Sequence, residues 1–353
     1  MRIKDVAREA GVSTATVSHV INNTKYVTDV TRERVLRAIK SCDYYANVHA
    51  RTLASGRSNI IGLLVSDISN PFFPELVKSI EDAAFECGYN LILVNTNYDA
   101  KRAADYVRRL IELNVAGVAL MTTELDSKLI EELARRKVPV VLHNVGITGE
   151  HMSDVLVDYG SGIEEAVEHL VSLGHRKIAH IAGPGRFRSA VIRRQAFLDS
   201  VARHLPNAPM PAIYEGDFRF DGGRRAAAEM LAAKEFPTAV VVANDLMALG
   251  AMQEFRAAGL SIPEAISIVG FDDITFAALS QPPLTTVCSP RAEIGRKAIE
   301  ALMATIKQTG SSGEEVAVRT YLVTRGTTAA PPALVAGARR GKISPAKARI
   351  NKA

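Results

Sequence analysis

Cysteine is scarce in this sequence of 353 residues. The three cysteines stand far apart, no Cys-x-x-Cys pair is present, and no group of histidines and cysteines has the spacing of metal ligands. We therefore expect Cys42, Cys87 and Cys288 to be reduced thiols. Structural disulfides and a zinc site are not expected.

Long apolar runs are also missing. No stretch of about 18 apolar residues occurs, and the N-terminal segment MRIKDVAREA has charges spread through it. Neither a membrane-spanning helix nor a secretory signal is expected, which favours a cytoplasmic protein.

The common catalytic motifs are absent as well. The sequence has no phosphate-binding P-loop, no Gly-x-Ser-x-Gly and no His-Glu-x-x-His. Gly183 and Gly185 begin a dinucleotide-binding pattern, but Arg188 stands where the third glycine is needed. We interpret His175 and His180 as packing or surface residues, and we expect no enzyme, no cofactor and no metal.

The charges of the chain are unevenly distributed. The length fits two or three domains, and 47% apolar residues suffice for their cores. The net charge is +5 overall, +5 for residues 1–59 and −6 for residues 60–330, whereas residues 331–353 hold six basic residues and no acidic one. Basic ends on an acidic body suggest a polyanion partner, DNA or RNA before a membrane.

Apolar residues recur every three or four positions in residues 3–40, which predicts three short helices. Gly11 can adopt the positive φ of a helix end, Ser13 can cap the second helix and Thr28 the third. We expect the inward-facing residues of the second and third helices to be Val17, Val20, Ile21, Val35, Leu36 and Ile39. The outer face of the second helix carries small polar residues, which predicts a helix-turn-helix. A three-helix bundle with a solvated charged face fits the same periodicity.

The run IKDVAREAGVSTATVSHVINNTKYVT resembles the DNA-binding headpiece of LacI/GalR-type bacterial repressors, closest to the purine and ribose repressor branch. The resemblance implies that Thr14, Ala15 and His19 read base edges. It implies contacts with the sugar-phosphate backbone, or support of the reading helix, for Ile3, Ser13, Thr16, Ser18, Asn22, Tyr26, Thr28, Thr31 and Tyr44. Thr and His side chains can hydrogen-bond base edges, while hydroxyl groups bind phosphate and set register.

Residues 47–59 resemble the hinge helix and linker of the same family, with Asn47, Ala50 and Leu53 at the DNA. Leu53 matches the leucine that the family wedges into the minor groove of its operator, which unstacks a base step and bends the DNA. An isolated helix needs about 12 to 15 residues, so a hinge this short is expected to fold only on DNA.

From residue 60 onward, strand-like apolar runs alternate with amphipathic stretches in two rounds. This pattern predicts parallel sheets covered on both faces, in two lobes. It resembles the periplasmic sugar-binding fold that LacI/GalR repressors use as a sensor. The expected class is α/β, with a helix-turn-helix headpiece (1–46), a hinge (47–59), a two-lobed, doubly wound domain for effector binding and dimerisation (60–330) and a disordered basic tail (331–353).

Ligands of doubly wound sheets bind at the carboxyl ends of the strands, here in the cleft between the lobes. Polar and aromatic residues at such ends are the candidates for effector binding: Asn70, Phe72, Phe73, Asp99, Asn144, Ser189, Arg193, Phe218, Asn244 and Asp272. Of these, Arg193, Asn244 and Asp272 match the family positions that most often hold effector hydroxyls. Carboxylates, amides and one arginine beside aromatic rings suit a sugar. The family's purine repressors have an arginine where this chain has Phe187, which disfavours a purine.

We therefore expect a homodimeric transcription factor, most simply a repressor of carbohydrate-utilisation genes, that binds a near-palindromic operator and responds to a sugar. The family's tetramerising leucine heptads are absent from residues 331–353, so a dimer is favoured over a tetramer. A stand-alone sugar-binding protein, cytoplasmic or exported, is the alternative, but it leaves residues 1–59 unexplained. An enzyme acting on sugars has no catalytic constellation to support it.

Overall fold

A computed structural model describes residues 2–22, 25–44, 58–122, 125–307 and 313–332. The N-terminal part is a headpiece of three helices, α1 (Ile3–Glu9), α2 (Thr14–Asn22) and α3 (Asp29–Ser41). Its core is formed by eight buried residues, namely Val6, Ala7, Ala10, Val17, Val20, Val35, Ala38 and Cys42. The predicted three helices are confirmed.

Two details of the headpiece differ from the sequence prediction. Leu36 is 52% exposed, because the buried stripe of α3 runs through Val35, Ala38 and Cys42 and leaves Leu36 on the side of the helix. Thr28 stands at the N-cap of α3, but its side chain makes no capping hydrogen bond. Its hydroxyl donates to the hydroxyl of Thr31 at 3.0 Å instead.

The body contains two sheets of six strands each. The strands of the first sheet are β1 (Ile60–Val65), β2 (Asn90–Asn95), β3 (Gly117–Met121), β4 (Val140–His143), β5 (Met152–Asp158) and β11 (Glu315–Arg319). They are parallel throughout, in the order β11-β5-β4-β3-β1-β2. The helices of this lobe are α4 (Phe72–Glu86), α5 (Ala100–Glu112), α6 (Ser127–Arg135) and α12 (Arg291–Lys307).

The strands of the second sheet are β6 (Ile178–Ala182), β7 (Ile213–Glu215), β8 (Ala239–Val242), β9 (Ser267–Asp272), β10 (Thr285–Cys288) and β12 (Tyr321–Val323). Their order is β12-β10-β9-β8-β6-β7, and only β12 is antiparallel to its neighbour among the described strands. The helices of this lobe are α7 (Tyr159–Ser172), α8 (Arg188–His204), α9 (Phe220–Ala232), α10 (Asp245–Ala257) and α11 (Thr275–Leu279).

The chain crosses between the lobes after β5, after β10 and between β11 and β12. Thr320, the residue between the last two strands, is fully buried and ties the third crossing to the first. Its hydroxyl donates to the Asp158 carbonyl at 2.6 Å and accepts from the Gly162 amide at 3.0 Å. A Cβ atom on Gly162 would lie 2.5 Å from that hydroxyl, so the close approach needs glycine.

The predicted headpiece and doubly wound, two-lobed α/β body are confirmed by this architecture. Most of the predicted hinge and tail lie outside the described residues, and the domain boundaries remain predictions. No helix among the described residues is long and apolar enough to cross a membrane.

Candidate functional site

The headpiece presents the N-terminal end of α2 to solvent. Gly11 has a φ of 61°, which ends α1 and turns the chain toward α2. The Ser13 hydroxyl accepts from the Thr16 amide at 3.1 Å and therefore caps α2. Thr14 and Ala15 are exposed at the first turn of α2, while Val17 and Val20 fix the opposite face in the core. This is the geometry of a helix that can enter a major groove.

The other predicted DNA contacts surround that helix end or support it. His19, Ser18 and Asn22 are half-buried, and the Asn22 amide donates to the Ser18 hydroxyl at 3.2 Å. Tyr26 is 88% exposed. Ile3 and Tyr44 pack partly against the headpiece core, which suits residues that support the reading helix. Asn47, Ala50 and Leu53 lie outside the described residues.

A cavity of about 500 Å³ of empty space, including its open mouth, lies between the lobes at the carboxyl ends of the strands. It is the place at which doubly wound proteins bind ligands. Eight of the ten residues predicted to bind an effector line it: Asn70, Phe72, Phe73, Ser189, Arg193, Phe218, Asn244 and Asp272.

Arg193 and Asp272 form the charged centre of this cavity. Both side chains are buried, and Arg193 Nη2 lies 3.6 Å from Asp272 Oδ1. Arg193 Nη1 donates to the Ala243 carbonyl at 2.6 Å, and its guanidinium group lies 4.0 Å and 4.5 Å from the ring centroids of Phe271 and Tyr159. Burial raises the pKa of Asp272 to about 6, against the opposing effect of the Arg193 and Arg291 charges. The aromatic faces hold the arginine in one orientation.

The turn that carries Asp272 has a strained backbone and is held in place by a second arginine. Asp272 and Asp273 have φ values of 115° and 57°, which L-residues rarely adopt. The Arg291 guanidinium group donates to both of their carbonyl oxygens. Its Nε lies 2.9 Å from Glu75 Oε2, and Glu75 Oε1 accepts from the amide and the hydroxyl of Thr275. Glu75 belongs to the first lobe, so these contacts join the turn that carries Asp272 to the other lobe.

Aromatic and charged contacts connect the lobes at the cleft. Tyr98 of the first lobe stacks on Phe187 of the second with ring centroids 5.0 Å apart, and Phe187 stacks on Phe218 at 6.1 Å. Nearby, the Arg219 guanidinium group lies 3.7 Å from Asp67 Oδ2 and donates to Asn97 Oδ1 at 3.3 Å. The two lobes are therefore in contact across the cleft in this arrangement.

Two family models match the chain: "Bacterial regulatory proteins, lacI family" over residues 2–47 and "Periplasmic binding protein-like domain" over residues 167–328. The HTH-type transcriptional repressor PurR of Photobacterium profundum is 36% identical over 306 residues, which cover 86% of this chain and 92% of that protein. The ribose operon repressor of Escherichia coli is 36% identical over 328 residues, 92% of this chain and 99% of that one. The chain belongs to the lacI family of bacterial regulatory proteins.

Solved structures of the lacI family agree with this assignment. The lac repressor dimer bound to operator and the anti-inducer ONPF superposes with a TM-score of 0.84 at 30% identity, covering 94% of this chain and 99% of that one. A lacI-family regulator from Enterococcus faecium with bound ribose gives a TM-score of 0.69 at 30% identity, covering 77% of this chain and 99% of that one. The resemblance read from the headpiece motif is confirmed.

Two of the residues predicted from their places at the carboxyl ends of strands lie outside the cavity lining. Asp99 caps α5, because its Oδ1 accepts from the amides of Lys101 and Arg102 at 2.8 Å and 3.1 Å. Asn144 ties the end of β4 to β5, because its Oδ1 accepts from the Val157 amide at 2.6 Å. Both side-chain oxygens thus serve the scaffold.

Asn244 and Asn70 line the cavity but also serve local structure. Asn244 Oδ1 accepts from the Met247 amide at 3.0 Å and caps α10, while its Nδ2 donates to the Phe218 carbonyl at 2.9 Å. Asn70 Oδ1 accepts from the Phe72 amide at 3.1 Å. These contacts fix the amide groups at the cavity wall.

Six residues that were not predicted from the sequence also line the cavity: Ser66, Tyr98, Met121, Thr122, His143 and Tyr159. Most of them end or directly follow a strand of the first sheet, so the rule that placed Asn70 would have found them too. Ser66 and Thr122 hydrogen-bond each other at 2.9 Å, which joins the ends of β1 and β3. Burial raises the pKa of Tyr159 and lowers that of His143 to about 4, so both side chains are neutral near pH 7.

Proposed function

We propose that this protein is a sequence-specific transcriptional repressor of carbohydrate-utilisation genes, a homodimer that binds a near-palindromic operator and is controlled by a sugar in the cleft. The observation that carries the proposal is the joining, in one chain, of an exposed and capped reading helix to a ligand cleft with a buried arginine and carboxylate. A stand-alone sugar-binding protein would need no such headpiece.

The sugar is favoured by the chemistry of the cavity wall. The Phe72, Phe73 and Phe218 rings offer apolar faces, and the Arg193 and Asp272 pair offers donors and acceptors for hydroxyl groups. Phe187 stacks between Tyr98 and Phe218, at the position where the family's purine repressors have an arginine. A ligand that binds the closed and open lobe arrangements unequally would shift the hinges and thereby the affinity for DNA.

The proposal includes the DNA contacts inferred from the resemblance, with Thr14, Ala15 and His19 reading bases and Leu53 wedged into the minor groove. It places the protein in the bacterial cytoplasm, on the nucleoid through DNA binding, and it assigns no catalytic activity. In support, the relatives are bacterial regulators named for DNA binding and repression.

Operator binding tests the proposal. Fluorescence anisotropy on the gene's own upstream region, with a scrambled duplex as competitor, should show a specific complex whose affinity changes, in either direction, when a sugar is added. His19→Ala should reduce discrimination against the scrambled duplex about tenfold and leave the salt dependence of binding unchanged, because a base contact carries about 1 to 3 kcal/mol of specificity.

Lys78→Gln is the matched control, because Lys78 lies in the acidic body and pairs with Asp82. It should bind the operator like the wild type. Equal affinity of the wild type for operator and scrambled DNA, with or without sugars, would contradict the proposed function.

A further inference from the structure

His143 is a buried side chain of the cleft that the family resemblance does not point to. It is the last residue of β4, it is 7% exposed, and it lines the cavity together with Arg193 and Tyr159. Its neighbour Asn144 is used by the scaffold, through the bond to the Val157 amide. The strand therefore ends with an imidazole, and not with the expected amide, in the cavity wall.

The Nδ1 atom of this imidazole has no hydrogen-bond partner among the described residues, although it is fully buried. Buried polar atoms are nearly always paired, and an unpaired one costs about 1 to 3 kcal/mol. An unpaired nitrogen alone does not mark a ligand site, because His180 Nε2 is also unpaired inside the core, but His143 differs from His180 in lining the cavity. Because His143 lines the cavity, a rotation of its ring about the Cβ–Cγ bond would turn this nitrogen toward a ligand there.

The imidazole is neutral at the pH of the cell. Burial lowers the pKa of His143 to about 4, and repulsion by the nearby Arg193 charge acts in the same direction. A neutral imidazole has one N–H donor and one acceptor nitrogen, so it can hydrogen-bond a hydroxyl group in either sense. It adds no positive charge with which to hold a phosphate.

The remaining charges of the cavity lining cancel. Among the described residues, the charged side chains of the lining are those of Arg193 and Asp272, which lie 3.6 Å apart. One N–H group of the arginine also donates a hydrogen bond to the Ala243 carbonyl. A phosphorylated sugar would bring close to two negative charges into a site without a surplus cation, and burying an unpaired charge is costly.

We propose that His143 determines ligand specificity by hydrogen-bonding a hydroxyl group of an uncharged, unphosphorylated sugar. The inference rests on the proposed function, because it assigns the ligand class of the same cleft. It adds a recognition group and excludes phosphorylated sugars.

Two substitutions separate the hydrogen bond from the volume of the side chain. His143→Asn keeps a neutral polar group near the position of Nδ1, whereas His143→Leu removes it and preserves an apolar side chain of similar size. Binding is measured by calorimetry with the full chain and a fixed set of probes: D-ribose, D-glucose, D-galactose and D-fructose, each with its terminal phosphate ester.

At least one uncharged sugar should bind the wild type, and its phosphate ester should bind at least about tenfold more weakly. His143→Leu should weaken the uncharged sugar about tenfold, the effect of one lost hydrogen bond to a neutral group, and His143→Asn should restore most of that loss. Without ligand, the melting temperature of His143→Leu should equal or exceed that of the wild type, because the substitution removes no partner within the protein.

Each of three results would overturn the inference. These are preferred binding of a phosphate ester, wild-type affinity in His143→Leu, and failure of every uncharged sugar in the set. A melting temperature lowered by several degrees in ligand-free His143→Leu would identify the residue as structural and would also overturn it. Operator binding by the same wild-type preparation keeps the proposed function in place in all of these cases, whereas loss of operator binding contradicts the proposed function itself.

Discussion

Replacing His180 with glutamine is expected to make the fold less sensitive to acid. His180 lies in β6 and is completely buried, with its ring stacked on Phe197 at 4.8 Å. Its Nδ1 lies 2.8 Å from the Val241 carbonyl oxygen, while Nε2 has no partner among the described residues. Burial lowers the pKa of His180 from 6.5 to about 4, against the raising effect of the bond to Val241.

The direction of the effect depends on whether the folded or the unfolded protein binds the proton more readily. Below about pH 6.5 the unfolded chain takes up a proton at this histidine, but the folded protein does so only near pH 4. Acid therefore stabilises the unfolded state, and the free energy of unfolding falls as the pH drops through this window. At pH 5 the loss from His180 alone is about 2 kcal/mol, and it approaches about 3 kcal/mol near pH 4.

Other groups titrate in the same window but are common to both proteins. His143 acts in the same direction as His180, whereas Asp272, with its raised pKa, stabilises the fold as the pH falls through about 6. Their contributions cancel when His180→Gln is compared with the wild type. Glutamine does not titrate and can still donate to the Val241 carbonyl, so the comparison isolates the imidazole.

Urea unfolding followed by circular dichroism measures the effect, since the sequence has no tryptophan to report by fluorescence. Between about pH 7 and about pH 5 the wild type should lose about 2 kcal/mol more than His180→Gln. Phe197→Leu is the control, because it disturbs the same contact without changing a titratable group. Equal losses in the wild type and His180→Gln would refute the reasoning.

Three further predictions concern the contacts between lobes and the headpiece turn. Glu75→Gln removes the charge that holds Arg291 against the Asp272 turn. It should weaken sugar binding, measured by calorimetry, about three- to tenfold and leave the operator affinity unchanged. Unchanged sugar affinity would show that this contact does not contribute to ligand binding. Thr320→Val should lower the free energy of unfolding, measured in urea, by about 1 to 3 kcal/mol, because it removes the hydroxyl group. Thr320→Ser keeps the hydroxyl and should have nearly the stability of the wild type. Equal losses of stability in the two variants would contradict this. Gly11→Ala should destabilise the headpiece by about 1 kcal/mol, because the φ of this residue is 61°. Limited proteolysis should then cleave the headpiece faster than in the wild type. Gly185→Ala is the control and should leave the cleavage rate unchanged, because an added Cβ there meets nothing within 4 Å.

The sequence was sufficient for the strands that are apolar throughout. β1, β3 and β8 are such strands, and continuous apolar runs predict them because both faces of a central parallel strand are covered. The strands β5 and β10 were not predicted by this pattern. β5 contains the buried Ser153 and Asp154, and β10 begins with two buried threonines, so their burial depends on tertiary hydrogen bonds that no local pattern displays.

The site was predictable in position but not in every residue. The carboxyl ends of the strands were correctly expected to meet at one cavity, and Arg193 and Asp272 meet there. Which of two neighbours faces the cavity depends on the strand's rotation, and His143 lines the cavity where Asn144 was expected. Asp99 illustrates another limit, because a residue that follows a strand is also well placed to cap the next helix.

The alternation of the chain between the two sheets restricts how this gene can recombine. β11 and β12 lie next to each other in the sequence, yet each completes a different sheet, so neither lobe is encoded by one continuous segment. Exchange of the second lobe with a relative would need three matched junctions, at the three crossings of the chain, and exchange of the first lobe alone would need a fourth before β1. The headpiece helices, by contrast, are encoded contiguously, and one junction suffices to give the sensor a new reading helix. Recombination in this gene should therefore replace the headpiece more easily than one wall of the cleft.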